Sequence, residues 1–257
     1  MLKQYHSFQP TLCQSGLNRF GIKCQQRFPS EPLENIVYSF IQINIDQPTT
    51  YPVIPDGMIN LFMSETAMFI SGMQTQTQIL PLMQTGKYFG IRFYPGALSR
   101  LFNLDMEHMN GQHLTTDIIT DSAFSQLLTI CFEAKGFEQA AKCCEQWFIN
   151  KTHKDNKLKV NEALNLIVKH HGAIKVQSLS DSVNLSARQL NRQFLQYVGV
   201  NTKTYSQIIR LQQSVKQLLA NSSVLNANND YYDQSHQTHS YQRFLSITPQ
   251  SLLKKFS

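Results

Sequence analysis

The sequence predicts an α+β chain: a β-rich N-terminal domain with flanking helices, followed by an all-α domain carrying two helix-turn-helix units. Three observations predict it. Short apolar runs separated by turn residues fill positions 36 to 93, helical spacing of apolar residues takes over beyond position 160, and positive charge gathers in that second part. A chain of 257 residues exceeds what one small core fills and suits two compact domains. With 42% hydrophobic and 16% charged residues, it has the composition of a chain that folds rather than one that stays disordered.

The first run, residues 36–45 (IVYSFIQINI), is rich in β-branched and aromatic residues and reads as a strand closing on a turn at 46–52. Ile54-Pro55-Asp56-Gly57 is a further turn signature. Short strands are then expected at 58–62, 67–71, 79–83 and 88–93. Tyr94-Pro95-Gly96 interrupts the pattern, and helical spacing follows at 97–102, 121–128 and 137–148. Residues 151–159 (KTHKDNKLK) are polar and without periodicity, as a solvated connection is. The expected organisation is therefore a sensor-like domain at 1–150, a linker at 151–159 and a helical domain at 160–257.

Charge divides along the same line. Residues 1–155 hold 11 Lys/Arg against 13 Asp/Glu, whereas residues 156–257 hold 12 against 4. A basic part of that kind suits a phosphate backbone, because each neutralised phosphate releases condensed counterions. It also fits a merely solvated surface, so charge alone does not decide. The five cysteines (Cys13, Cys24, Cys131, Cys143 and Cys144) are odd in number and lack the paired spacing of a zinc site. Reduced thiols, a cytoplasmic location and no bound metal or cofactor are expected. The first ten residues lack an apolar signal core and no apolar run approaches about 18 residues, so neither export nor a membrane is expected.

In the helical part, Val160, Leu164, Ile167 and Val168 share one face of a first helix, which His170-His171-Gly172 ends. Val176, Leu179 and Val183 define a second. Ser186 is a good N-cap, and Gln189 three residues later completes a capping box, so a third helix starts at Ala187. Leu190, Phe194 and Val198 form its apolar face and Gly199 ends it. Its other face carries Arg188 and Arg192 one turn apart, with Asn191 at the edge and Gln189 and Gln196 further round. Arginine can hold guanine O6 and N7 through two hydrogen bonds, and Asn or Gln can do the same for adenine. A solvated helix face usually mixes acids with bases, yet no acid occurs from residue 184 to 200.

The pattern repeats at an offset of 47 residues, Phe194 with Gly199-Val200-Asn201-Thr202 matching Tyr241 with Ser246-Ile247-Thr248-Pro249. A long helix over residues 204–220 separates the two units. Asp233 matches Ser186 as the second cap, and Thr248-Pro249 opens a last helix. Gln237 stands where Leu190 stands in the first unit, so an amide is buried there and needs partners.

SLSDSVNLSARQLNRQFLQYVGV (178–200), IIRLQQSVKQLL (208–219), YYDQSH (231–236) and RFLSITP (243–249) together resemble the AraC/XylS family of bacterial transcription regulators, over about residues 164–256. IPDGMINLFM (54–63) and GIRFYPGALSRLF (90–102) resemble the sensor-like domain that precedes this module in one branch of that family. The resemblance implies a tandem helix-turn-helix domain that binds double-stranded DNA. Its further partners would be a small-molecule effector, RNA polymerase or a second copy of the chain. The family's base-reading places fall on Arg188, Asn191 and Arg192 in the first unit. In the second they fall on Gln234, Ser235, Thr238 and His239, the last usually an arginine in the family. An imidazole, mostly neutral near pH 7, attracts phosphate or guanine less than a guanidinium does.

Asn226 and Asp230 stand where Leu179 and Val183 stand in the first unit, and small polar residues fill 221–229. A weakened second unit is therefore expected, contacting mainly phosphates or docking poorly. Other chemistry is less favoured by the pattern. Asp233, His236 and His239 at i, i+3 and i+6 do not converge as metal ligands, and cap and surface roles account for them. Cys143-Cys144 point about 100° apart on a helix and suit packing, with no nucleophile, base and orienter set beside them. Asp56-Gly57 and Arg92 could bind a ligand in the β-rich part, but Asp-Gly is also simply a turn and Arg92 can pair with a carboxylate; Tyr88, Phe89, Phe93 and Tyr94 are candidates to line a sensor pocket whose ligand the sequence does not name. Two function classes follow: a sequence-specific DNA-binding regulator, and a sensing or interaction protein whose DNA-binding domain has decayed.

Overall fold

The computed structural model describes residues 5–65, 67–109, 113–115, 122–152, 159–222 and 231–256. Pro10–Leu12 form a 3-10 turn before helix α1 (Gln14–Phe20), and strand β1 (Ile22–Arg27) follows. Strands β2 (Val37–Ile45), β3 (Thr49–Val53), β4 (Ile59–Met63), β5 (Met68–Ser71), β6 (Gln78–Leu82) and β7 (Gly86–Phe93) come next. Helix α2 (Ala97–Phe102), a 3-10 turn at Met106–Met109, strand β8 (His113–Thr115) and helices α3 (Ser122–Glu133) and α4 (Phe137–Lys151) complete the front part. Six strands form one antiparallel sheet in the order β1-β2-β7-β4-β5-β8, and β3 pairs with β6 as a separate two-stranded ribbon.

The alternation of β2 explains how the sheet divides two apolar regions. Successive strand residues point to opposite faces. Ile41, Ile43 and Ile45 join Tyr51, Leu80 and Leu82 in the smaller cluster under the ribbon, while Tyr38 and Phe40 join the larger one. In that larger cluster Phe89 meets Phe137 at 6.0 Å between ring centroids and Phe93 meets Phe148 at 5.4 Å, which seats α4 on the sheet.

The expected strands are present within a residue or two of their sequence-based ends. The turn expected at 46–52 is the exception, because Thr49–Val53 is strand β3, with Tyr51 opposite Leu80. Pro52 is tolerated there because the ribbon has only two strands, so one edge needs no donor. Neither α1 nor β1 was legible: in the edge strand β1 only Ile22 is buried, Cys24 and Arg27 are half-buried and the other three side chains are exposed. Tyr88 belongs to the smaller cluster and Phe89, Phe93 and Tyr94 to the larger, so the four do not line one space.

Beyond α4, residues 153–158 of the expected linker lie outside the described residues. The helical part consists of α5 (Lys159–Lys169), α6 (Val176–Ser182), α7 (Ala187–Val198), α8 (Thr202–Asn221), α9 (Gln234–Leu245) and α10 (Pro249–Phe256). Gly172 ends the turn after α5 with φ 75°, and a Cβ there would lie 2.1 Å from the Ser206 carbonyl oxygen. Only glycine lets α5 and α8 approach so closely. Asn226 and Asp230, and with them the helix that would precede α9, lie outside the described residues.

Front and back parts share one apolar cluster, which runs from Phe89 and Met106 through Val198 and Tyr205 to Tyr241 and Leu252. Polar contacts reinforce it. Gln212 on α8, fully buried, accepts from the Phe8 backbone N–H at 2.8 Å and donates to the Pro55 carbonyl at 2.8 Å. Immediately beneath Pro55, Asp56 pairs with Arg92, both 4% exposed. Asp56 also accepts from Gln9 Nε2 at 2.9 Å and from the Met58 N–H at 3.0 Å, so its oxygens are well supplied with donors. The Arg92 guanidinium lies 5.0 Å from the Tyr38 ring centroid. The Asp-Gly pair stands in a turn, and the carboxylate that pairs with Arg92 is that of Asp56.

Candidate nucleic-acid interface

Helix α7 begins as its sequence dictates. Ser186 is extended (φ −70°, ψ 153°), its Oγ accepts from the Gln189 N–H at 3.2 Å, and Gln189 Oε1 accepts in return from the Ser186 N–H at 3.0 Å. Two orphan donors of the first turn are satisfied reciprocally. Leu190, Phe194 and Val198 are fully buried, which fixes the rotation of the helix about its axis. Arg188, Gln189, Arg192 and Gln196 are exposed as a consequence.

The predicted site residues on α7 differ in what they have left to offer. Arg188 and Arg192 make no ion pair or hydrogen bond among the described residues, and with Ala187, Gln189, Asn191 and Leu195 they line an open hollow. Gln189 has committed its oxygen to the cap. Asn191 is half-buried, and its Oδ1 accepts from the Thr202 N–H at 3.2 Å, satisfying a donor at the first turn of α8. Its Nδ2 amine is unused among the described residues, and a two-bond contact with adenine would share Oδ1 with the Thr202 N–H.

Helix α9 repeats the design with weaker parts. Asp233 caps it, Oδ1 accepting from the His236 N–H at 2.7 Å. Gln234, Ser235 and His239 are exposed and Thr238 is half-exposed on its outward side. Gln237 faces inward, fully buried, and donates from Nε2 to Ser214 Oγ at 3.1 Å; Ser214 in turn lies 3.0 Å from the Tyr241 hydroxyl. The nitrogen of the buried amide expected at this position has its partner, Ser214, on α8. Burial pushes the Tyr241 hydroxyl above its ordinary pKa, which keeps it a neutral hydrogen-bonding group.

Helices α7 and α9 are both held by the front part at their C-terminal ends. A Cβ on Gly199, at the end of α7, would lie 2.7 Å from the Met106 carbonyl oxygen. The Thr77 N–H donates to the Phe244 carbonyl of α9 at 2.9 Å. Sequence reasoning missed a second basic surface. His236, His239, Ser240 and Arg243 of α9 line a cleft with Gln207 and Arg210 of α8, a grouping that takes about two turns of one helix and one of the other and needs both to be seen together.

Among the described residues no helix is long and apolar enough to cross a membrane. A family model described as a domain of unknown function (DUF6597) matches residues 25–115. No curated protein matches. Among solved structures, one of ToxT from Vibrio cholerae is similar with a TM-score of 0.42 at 12% identity, covering 91% of this chain and 98% of that one. An apo ToxT variant is similar with a TM-score of 0.40 at 11% identity, covering 92% and 97%. Wild-type ToxT bound to an unsaturated fatty acid is similar with a TM-score of 0.40 at 11% identity, covering 90% and 94%. Likenesses of this size carry no functional argument, which rests instead on the residues of the site.

Proposed function

We propose that the chain is a sequence-specific DNA-binding transcription regulator of the AraC/XylS type, a non-catalytic bacterial protein of the cytoplasm. In this reading residues 160–257 form the DNA-binding domain, residues 1–150 a sensor-like domain and residues 151–159 the connection. The observation that carries it is the outward face of α7, where two exposed guanidiniums one turn apart have no acid to pair with. Arg188 and Arg192 read guanines in the major groove, each worth about 1–3 kcal/mol of discrimination. Gln189 and Asn191 contribute through their free amine groups. Gln234, Ser235, Thr238 and His239 contact the neighbouring groove face more weakly, because none of them is a cation with a fixed fork of donors. An effector, RNA polymerase or a second copy would act through the front part, whose contacts reach α7, α8 and α9 alike.

Selection of bound duplexes from random DNA with the purified chain tests this. A recovered motif bound far more tightly than random duplex, with affinity falling steeply as salt rises, is the expected result. Its length reports how many units read bases, since successive major-groove faces lie about 10 bp apart. Equal, weak binding of every sequence would instead support the sensing or interaction protein with a decayed DNA-binding domain.

A further inference from the structure

The cleft between α8 and α9 has the chemistry of an anion site. It encloses about 470 Å³, and Arg210, Tyr231, His236, His239, Ser240 and Arg243 are among its polar lining, which includes no carboxylate among the described residues; the nearby Asp233 carboxylate is spent on the cap of α9. Two guanidiniums and two imidazoles therefore share one concave surface, where a basic groove focuses its field on an approaching anion. Neither arginine pairs with a carboxylate among the described residues. Arg210 Nη2 donates to the Gly172 carbonyl at 2.8 Å and Arg243 Nη1 to Gln207 Oε1 at 3.2 Å, both uncharged acceptors. Arg210 Nε is buried and has no partner among the described residues.

The walls select within the class of anions. Arg243 is held over the Phe244 ring at 5.0 Å from its centroid, and Tyr231 packs edge-on to His236 at 5.4 Å, so the floor is aromatic while the donors stand around the rim. The Tyr231 hydroxyl donates to Ser240 Oγ at 3.0 Å, which turns the Ser240 hydroxyl hydrogen toward other acceptors. Planar guanidinium forks match the tetrahedral oxygens of a phosphate group through two parallel hydrogen bonds.

We propose that this cleft binds a phosphate group, supplied either by the backbone of bound duplex or by a free phosphorylated small molecule. The duplex source rests on the DNA-binding function proposed above; the site itself does not.

Inorganic phosphate titrated at constant ionic strength into the isotopically labelled full chain, followed by amide resonances, is the direct test. Saturable shifts confined to Arg210, Tyr231 and residues 236–243 are expected, with affinity at least roughly tenfold weaker in Arg243→Gln, the loss of one charge-assisted contact. His236→Gln serves as the second variant if Arg243→Gln fails to fold. Shifts that do not saturate, or that are the same in parent and variant, overturn the proposal. The source is then read from duplex binding. A salt dependence of log K reduced by about 0.9 in Arg243→Gln, with duplex displacing phosphate, assigns the cleft to the DNA backbone. An unchanged salt dependence beside saturable phosphate binding assigns it to a free phosphorylated molecule. A chain that binds no duplex at all removes the DNA-binding reading, while saturable phosphate shifts in that same chain still uphold the cleft as a phosphate site.

Discussion

Gln212 Oε1 accepts a hydrogen bond from the backbone N–H of Phe8, 204 residues earlier in the chain, while its Nε2 donates to Pro55. Helix α8, between α7 and α9, is thereby fixed to the β-rich part through a fully buried side chain. Gln212→Leu leaves a half-buried N–H and a buried carbonyl unmet, the latter costing about 1–3 kcal/mol. Urea denaturation should show the loss as a lower midpoint with an unchanged slope. A variant within about 0.5 kcal/mol of the parent, the range of ordinary surface changes, would mean that the contact does not hold the two parts together.

The Asp56 and Arg92 pair lies under the same joint. Removing one partner strands the other charge in a site 4% exposed, at a cost of about 3–5 kcal/mol. Arg92→Met should therefore lower stability more than Lys23→Met, which breaks an exposed pair with Asp46 at 2.8 Å. Comparable melting temperatures for the two variants would contradict the assignment of Asp56 and Arg92 as a structural pair.

Arg188 and Asn191 should separate cleanly, although both stand at predicted base-reading places. Arg188→Ala leaves the thermal midpoint unchanged and relaxes base preference by about 1–3 kcal/mol at one position of the selected site. Asn191→Ala removes the acceptor of the Thr202 N–H and should cost about 0.5–2 kcal/mol of stability, as loss of a helix cap does. The measurement is a melting curve beside a binding curve for each variant. An Asn191→Ala chain as stable as the parent would show that its amide is free for DNA.

Acid should loosen the packing of α4 on β1. Burial alone would raise the Glu145 pKa, but hydrogen bonds from Ser30 and the Arg27 guanidinium at 2.7 Å outweigh it and hold the carboxyl below its ordinary value. A folded-state pKa below the unfolded one stabilises above the unfolded value, and that contribution is lost as pH falls through the folded value. The stability gap between parent and Glu145→Gln should be largest near neutrality and close as pH drops below the ordinary glutamate range. A gap independent of pH would place the effect in packing rather than charge.

Cysteine reactivity should follow burial rather than sequence adjacency. Cys143 is exposed, whereas its neighbour Cys144 is buried with Sγ 3.1 Å from Cys131 Sγ. Burial pushes the Cys131 thiol far above its ordinary range, and Cys24 is raised to about 11 for the same reason. Because only the thiolate is nucleophilic, alkylation of the folded chain near neutral pH should mark Cys143 first and reach Cys131 and Cys144 only on unfolding. Early labelling of Cys144, read by peptide mass, would show that α3 and α4 separate in the folded state.

The sequence by itself determined the class of each element and most of the first reading unit. Period-2 and period-3.6 patterns are local, and so are caps. The Ser186 and Gln189 box, the buried set Leu190, Phe194 and Val198, and the exposure of Arg188 and Arg192 could all be read from spacing alone. An edge strand such as β1 was not legible, because one buried residue in six leaves no period to detect. Only the tertiary structure decided which polar groups are already spent. Asn191 looks like a base reader until Thr202 is brought beside it, and Gln237 looks like a defect until Ser214 meets it across the α8 and α9 interface. The same holds for the joint at Gln212 and for the cleft of Arg210 and Arg243, whose members are far apart in sequence. Hydrogen bonds are short-ranged and directional, so a donor's true partner is known only when the chain has folded around it.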